Sequence, residues 1–305
     1  MTTTTRAFVL SGGGARGALQ VGALRALQEA GIHPDLLVGT SIGAVNAAYV
    51  AMHGYSADTL SQLEQAWQRA ARADLLPANY LWLTIRMLFN RHGTEVEQRI
   101  RTYFIGEGLH PDLQFGQLNG PRLILVATDL EQGGTQLYGR EPDDLVLSGV
   151  LASTAIPPWI RPLEHDSHLL MDGGLICNLP IEPALAAGAT EIIALDLADP
   201  RPIGPTAGGW GPFLFQLRHT MQQRQTHVEM QLAAARNVMV HHNELQSGSP
   251  LGVWEFPHCL SLLEQGHTLA ESYLTEHPDV GRDLDRQPRS LWHRAWQALT
   301  SGKAL

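Results

Sequence analysis

Gly39-Thr40-Ser41-Ile42-Gly43 follows the short apolar run Leu36-Leu37-Val38 and precedes the helix-like stretch Ala44-Val45-Asn46-Ala47-Ala48-Tyr49-Val50. The order strand, tight turn, helix constrains the fold more than any other part of the chain. A serine at such a corner sits between flanks that tolerate little beyond glycine, with its hydroxyl lifted to the open end of a sheet. The helix that starts beside it aims backbone N–H groups and the positive end of its dipole at negative charge developing there. A second corner lies just upstream. Ala7-Phe8-Val9-Leu10 reads as a buried parallel strand, followed by the glycine loop Gly12-Gly13-Gly14-Ala15-Arg16-Gly17. A helix is expected over 18–30, with Val21, Leu24 and Leu27 on one face and Gly31 as its stop. Two strand–helix pairs in so short a stretch make a βαβ unit, and hence a parallel sheet.

Further strands are expected at 123–127, 169–171, 192–197 and 238–241, and helices near 59–73, 142–152, 181–187, 216–235 and 262–274. This alternation predicts one sheet covered by helices on both faces. Segment 75–89 is aromatic and apolar without a clear two-residue period, and 200–212 is a glycine- and proline-rich loop. The expected organisation is a catalytic body over 6–275 and a tail over 276–305.

Composition narrows the function classes. At 305 residues the chain can bury a substantial core, and 44% hydrophobic with 17% charged residues is a globular balance. A net charge of −9 argues against nucleic acid as a partner, because phosphate neutralisation needs clustered cations. It also weakens general attraction to anionic membranes, although a local patch could still act. Lys303 is the only lysine, which excludes chemistry needing a lysine in the core. Cys177 and Cys259 do not make a disulfide framework. The apolar residues before the glycine loop are too few for a signal peptide, and no run approaches a membrane span, so a cytoplasmic, reducing location is expected. His241 and His242 are adjacent on an expected strand and so point to opposite faces, unable to chelate together. No metal and no cofactor are expected, and the oligomeric state is not encoded.

The glycine loop admits three readings. Gly12-x-Gly14-x-x-Gly17 matches a dinucleotide-binding fingerprint, but the second strand ends in Gly39-Thr40-Ser41 where an acidic ribose ligand is needed, and Asp35 lies at its other end. A phosphate-binding P-loop needs Gly-Lys-Ser/Thr, and the chain has Gly17-Ala18-Leu19. The third reading is an oxyanion hole, with the N–H groups of Gly12, Gly13 and Gly14 facing the carbonyl oxygen that Ser41 attacks.

A serine nucleophile needs a base. Fourteen histidines keep a Ser-His-Asp triad open by count. Among carboxylates the best placed is Asp172, which ends the apolar run Leu169-Leu170-Met171 and enters Gly173-Gly174, at the carboxyl edge of the sheet with Ser41. An ordinary Asp-Gly turn would look the same. His165 and His168, just ahead of Asp172, are the histidines to test as rival bases; Cys177 reads as a small buried residue.

Taken together, Gly12-Gly13-Gly14-Ala15-Arg16-Gly17, Gly39-Thr40-Ser41-Ile42-Gly43 and Asp172-Gly173-Gly174 resemble, in order, the signature trio of the patatin-like phospholipases. Ala127-Thr128-Asp129-Leu130, Ala152-Ser153-Thr154-Ala155-Ile156-Pro157 and Asn178-Leu179-Pro180 also look like stretches of that family. The resemblance covers residues 6–200. It implies a three-layer α/β/α sandwich with a mainly parallel central sheet, and a Ser41–Asp172 dyad without a catalytic histidine. It implies an oxyanion site at the Gly12–Gly14 loop and the Ile42 N–H, with Gly39 and Gly43 shaping the nucleophile turn. Arg16 would meet a phosphate head group or brace the loop, and the resemblance favours the brace. The implied activity is hydrolysis of a lipid ester substrate, of phospholipase A or lysophospholipase type. An acyltransferase using the same acyl-enzyme, or a non-catalytic nucleotide- or lipid-binding regulator, remains a competing reading.

Lipid needs an apolar entrance. Candidates are the segment 75–89, the stretch Trp210-Gly211-Pro212-Phe213-Leu214-Phe215, and a tail helix in which Leu291, Trp292, Ala295, Trp296 and Leu299 share one face. The tail would serve transient contact with a membrane surface, or dock on the body or on a second subunit.

Overall fold

The computed structural model describes residues 4–72, 94–156, 160–199, 210–249, 251 and 255–282, with backbone alone at 94–96, 210–212, 214 and 215. In chain order the elements begin with β1 (Arg6–Leu10), α1 (Gly17–Glu29), β2 (Leu36–Thr40), α2 (Ile42–His53), α3 (Ala57–Arg72) and α4 (Thr94–Gly106). Next come β3 (Arg122–Asp129), β4 (Gly134–Tyr138), α5 (Val146–Ser153), β5 (Leu163–His165) and β6 (His168–Asp172). The last are α6 (Ile181–Ala186), β7 (Glu191–Ala198), α7 (Trp210–Ala235), β8 (Met239–Gln246) and α8 (Cys259–Glu276). One sheet holds the strands in the order β5-β6-β3-β2-β1-β7-β8, with β4 paired to β3 outside that path.

The pleat divides the core into two layers, as strands buried on both faces require. Phe8, Leu10, Leu37, Leu125, Ile193 and Leu195 point to the side covered by α1, α2, α3, α5 and α8. Their neighbours Ala7, Val9, Leu36, Val38, Ile124, Val126, Ile192 and Ala194 point to the other side, where Leu179, Ile181 and Leu185 of the α6 region and Ala233 of α7 cover them. The architecture is the expected three-layer α/β/α sandwich.

Strands β3, β2, β1, β7 and β8 run parallel, while β4 and β6 pair antiparallel with β3, and β5 pairs antiparallel with β6. The register around β3 matters most for function. Val126 pairs with Thr40 of β2 on one flank and Leu137 of β4 on the other. One residue on, Ala127 still faces β4 through Gln136, but its other partner is Asp172 of β6. Strand β6 therefore takes the flank of β3 that β2 vacates, and Asp172 occupies the rung just beyond Thr40. Asp172 does not reach the carboxyl edge by ending a strand parallel to β2. It arrives from beyond the edge, on an antiparallel strand that stops beside Ser41.

Other departures from expectation have local causes. The turn between β5 and β6 is Asp166-Ser167, both at positive φ (48° and 69°), as a two-residue hairpin with the sheet's own twist requires. The pair lacks the glycine that marks a two-residue hairpin in sequence, and β5 and β4 are too short and too polar to signal themselves. Helix α4 is not among the helices that the sequence pattern predicts. Helix α7 begins at Trp210, earlier than expected, because Pro212 falls in its first turn, where a missing N–H costs nothing. Segment 75–89 and the tail residues 283–305 lie outside the described residues.

Helices α1 and α8 cross in near contact, and two glycines permit it. A Cβ on Gly22 would meet the Leu263 carbonyl, and one on Gly266 the Leu19 carbonyl. Since α1 carries the glycine loop at its start, α8 clamps the element that positions the site. Gly266→Ala gains helix propensity of about 1 kcal/mol but must push backbone apart, at a cost of about 1–3 kcal/mol or more. Net destabilisation is expected in urea titrations; a rise in the midpoint would show that the crossing is not close-packed.

Candidate active site

Ser41 stands between β2 and α2 with φ 55° and ψ −123°, a conformation that an L-residue adopts only when the surroundings force it. The forcing groups are identifiable. Gly43 abuts the carbonyl of Leu10, and Gly39 abuts the first turn of α2, so neither position has room for a side chain. The Ser41 N–H donates to Ser153 Oγ at 2.9 Å, and that hydroxyl donates to the Val126 carbonyl at 2.7 Å. The turn is thus tied to both α5 and β3.

Ser41 Oγ–H donates to Asp172 Oδ2 at 2.6 Å, and both residues are buried. The second carboxylate oxygen, Oδ1, accepts the Gly174 N–H at 2.7 Å. The main chain of Asp172 is fixed as well, its N–H donating to the Ala155 carbonyl at 3.0 Å and its carbonyl accepting from Thr128 Oγ1 at 2.9 Å. Burial pushes the Asp172 carboxyl up to about 6, against the opposing effects of the Ser41 and Gly174 hydrogen bonds and the charge of Arg218. At neutral pH it is ionised, yet far more basic than an exposed aspartate.

The glycine loop reaches this pair from β1. A Cβ on Gly12 would stand 3.0 Å from Ser41 Cβ and 2.7 Å from the Asn178 side-chain oxygen. The Gly12 N–H, however, donates to the Asn178 carbonyl at 3.2 Å. It is engaged in holding the loop, which leaves Gly13, Gly14 and the first amides of α2 as donors toward a ligand. The first amides of a helix have no intrahelical acceptor. Gly14 has φ 60°, a value that favours glycine, and Gly13 has no space for a side chain against Leu197.

Arg16 is buried beside the loop, among the residues that line the site. Its Nε donates to the Gly13 carbonyl at 3.3 Å and its Nη1 lies 3.1 Å from Asp199 Oδ2. These contacts are those of a brace. Gln20 strengthens the root of the loop, donating to the carbonyls of Ser11 (2.9 Å) and Leu195 (3.1 Å) while accepting from Asn46, which in turn accepts from Trp67 Nε1.

Loop, serine and aspartate form the floor of a cleft of about 1000 Å³, at the upper end of ligand-pocket sizes. Its walls come from the carboxyl ends of β7 and β8 and from α7, which contributes Leu217, Met221 and Met230. His165 and His168 do not line it. His168 pairs with Asp129 at 2.8 Å, and His165 lies near Asp166 at the hairpin tip. The histidines that do line the cleft are His219, His227 and His242. His242 Nε2 is 3.0 Å from Asp196 Oδ2; burial disfavours its charge, but Asp196 and Glu244 outweigh that and raise its pKa. His241 points the other way, to Glu191 at 3.3 Å, as strand alternation demands. Cys177 is buried, its thiol donating to Glu229 at 3.2 Å and pushed up in pKa by burial, which removes it as a nucleophile.

Backbone strain at Ser41 has a measurable consequence. Glycine accepts φ 55° freely, whereas alanine retains the Cβ that makes it costly, so Ser41→Gly should be more stable than Ser41→Ala by about 1–3 kcal/mol. Equal urea midpoints for the two variants would mean that the turn holds no strain.

Comparisons with known proteins bear on the family and the fold. The family model for patatin-like phospholipase matches residues 8–185. The patatin-like phospholipase domain-containing protein 6 of Mus musculus is 33% identical over 217 residues, covering 69% of this chain and 15% of that protein. The lysophospholipase nte1 of Aspergillus terreus is 30% identical over 218 residues, 68% of this chain and 13% of that protein. The chain therefore spans only a small part of the length of these relatives. Among solved structures, VipD from Legionella pneumophila has a TM-score of 0.50 at 13% identity, over 90% of this chain and 67% of that one, a likeness of fold alone. With its family model spanning both glycine corners and the Asp172 turn, the chain belongs to the patatin-like phospholipase family.

Proposed function

We propose that this protein is a serine lipid acyl hydrolase, cleaving carboxylic esters of phospholipids or lysophospholipids through an acyl-enzyme on Ser41 with Asp172 as the base. The observation that carries the proposal is the 2.6 Å bond from Ser41 Oγ–H to a buried, basic carboxylate at the floor of a partly apolar cleft. A carboxylate pKa of about 6 supports the assignment, since a base works best when its pKa lies near the working pH. The names of the relatives above, a phospholipase-domain protein and a lysophospholipase, support the substrate class.

In the first half-reaction Ser41 Oγ bonds to the ester carbonyl carbon as its proton passes to Asp172 Oδ2. The carbonyl oxygen takes the electron pair and faces the N–H groups of Gly13, Gly14 and Ile42. Each such donor contributes about 2.7–4 kcal/mol to lowering the barrier in comparable sites. When the tetrahedral adduct collapses, the bond to the alcohol oxygen breaks, and Asp172 returns its proton to that oxygen. In the second half-reaction water attacks the acyl-serine, Asp172 takes the water proton, and Ser41 Oγ leaves and is reprotonated. The aspartate accepts and donates twice per turnover, which requires the direct contact seen here and no intervening imidazole. Arg16 braces the loop through the Gly13 carbonyl and Asp199.

Short-chain p-nitrophenyl esters test this reading. Ser41→Ala should lower kcat by about 10⁴-fold or more and Asp172→Asn by about 10³–10⁴-fold, both folded by circular dichroism. In the parent, kcat/KM should fall tenfold per pH unit below about pH 6, as Asp172 takes up a proton, and level off above it. Retained activity in Asp172→Asn, or a pH limb that Asp172→Asn leaves unchanged, would assign the base elsewhere.

A further inference from the structure

Helix α7 is anchored by one face and turns an apolar strip the opposite way. On the anchored face Glu229 and Ala233 are buried, and the Glu229 carboxylate accepts the Glu182 N–H at the start of α6 and the Cys177 thiol. On the outward face Leu217, Met221 and Val228 are 47%, 49% and 45% exposed, and Phe213 lies on the same line at 47%. Spacings of four, four and seven residues place these side chains within an arc of about 80°. A helix on a protein surface ordinarily presents polar residues there, and an apolar strip of this extent marks an interaction surface.

We infer that this strip is the face on which the protein settles onto a bilayer containing anionic lipid. Charge selects that occupant. The chain carries a net −9, yet from Trp210 to Arg236 the fixed positive charges are Arg218, Arg224 and Arg236, and the single carboxylate, Glu229, is the buried anchor. Arg224 is exposed within the strip itself. Apolar side chains that enter the headgroup boundary, with Arg224 among them, are the makings of an interfacial helix, a cation near an anionic surface contributing about 1 kcal/mol. A second copy of the chain fits less well, because a two-fold pairing through this face would bury Arg224 of both copies with no carboxylate on either strip to meet it.

Continuity supports the same occupant. Leu217 and Met221 belong both to the strip and to the lining of the cleft over Ser41 and Asp172. A lipid leaving a bilayer in contact with α7 would pass over these two side chains without crossing open water. This last point rests on the lipid hydrolase reading; the surface itself does not.

The test is co-flotation of the full chain with phosphatidylcholine vesicles, with and without phosphatidylglycerol. It uses a Ser41→Ala background so that lipid is not consumed. Val228→Glu should weaken partitioning on both vesicles by about tenfold, and Arg224→Glu by about tenfold on the anionic vesicles alone. Neither residue lines the cleft. In the active background both variants should therefore hydrolyse a water-soluble short ester at the parent rate, which also verifies their folding. Failure of the unsubstituted chain to float, or equal flotation of all variants, overturns the inference while leaving the ester chemistry intact. Concentration-dependent dimerisation abolished by Val228→Glu, without flotation, would give the strip to a second copy and also overturn it. Flotation as expected from a protein that hydrolyses no ester would sink the catalytic reading and not the surface.

Discussion

A largely buried carboxylate held within 2.6 Å of a serine hydroxyl at the floor of the cleft is the constraint on which this structure turns. Burying an ionised aspartate is costly unless its oxygens are satisfied, and here Ser41 and Gly174 satisfy one each. The compromise is partial. The two donors hold the group near enough to ionisation to be usable, while burial keeps it basic. A third donor would lower its pKa and weaken it as a proton acceptor, and the loss of either would favour the neutral acid. The fold achieves the balance by strand register. Because β2 stops at Thr40 and β6 takes the next rung beside β3, serine and aspartate are adjacent through the sheet itself, with no flexible loop between them.

Rigidity around that pair follows from hydrogen bonds that tie its backbone to buried polar groups on other elements. Ser153 holds the Ser41 amide, Thr128 holds the Asp172 carbonyl, and Asn178 holds both main-chain polar groups of Gly12. Ser153 and Thr128 do not line the cleft, and Asn178 reaches it at the edge of the loop. Their work is to stabilise a serine in a backbone conformation that would otherwise relax, and to keep the glycine loop facing it. Gln20, Asn46 and Trp67 extend the same bracing into α1, α2 and α3. A site that must stabilise charge at the instant it forms gains from dipoles already fixed in place.

Much of this was legible in the chain because it is encoded locally. A glycine corner between an apolar run and a helix reads the same in sequence and in space, so Ser41, the Gly12–Gly14 loop and the Asp172 turn could be found by inspection. What escaped is what pairing decides. The direction of β6 depends on which strand edge is free, and nothing in Leu169-Leu170-Met171 states it. The engagement of the Gly12 N–H depends on Asn178, far along the chain. The stretches around Thr128, Ser153 and Asn178 were recognisable by resemblance, but their tasks appear only once the strands are side by side. Helix α7 shows the limit most plainly, since its outward apolar strip is interleaved with glutamines and arginines and gives a weak periodic signal.

The most direct test of the central claim is covalent. The protein would be treated with a long-chain fluorophosphonate, digested, and the modified peptide identified by mass spectrometry in the parent and in Asp172→Asn. The account predicts one adduct, on the peptide containing Ser41, formed far more slowly when Asp172 is replaced. An adduct on a different serine, or labelling of Ser41 at the parent rate in Asp172→Asn, would contradict it.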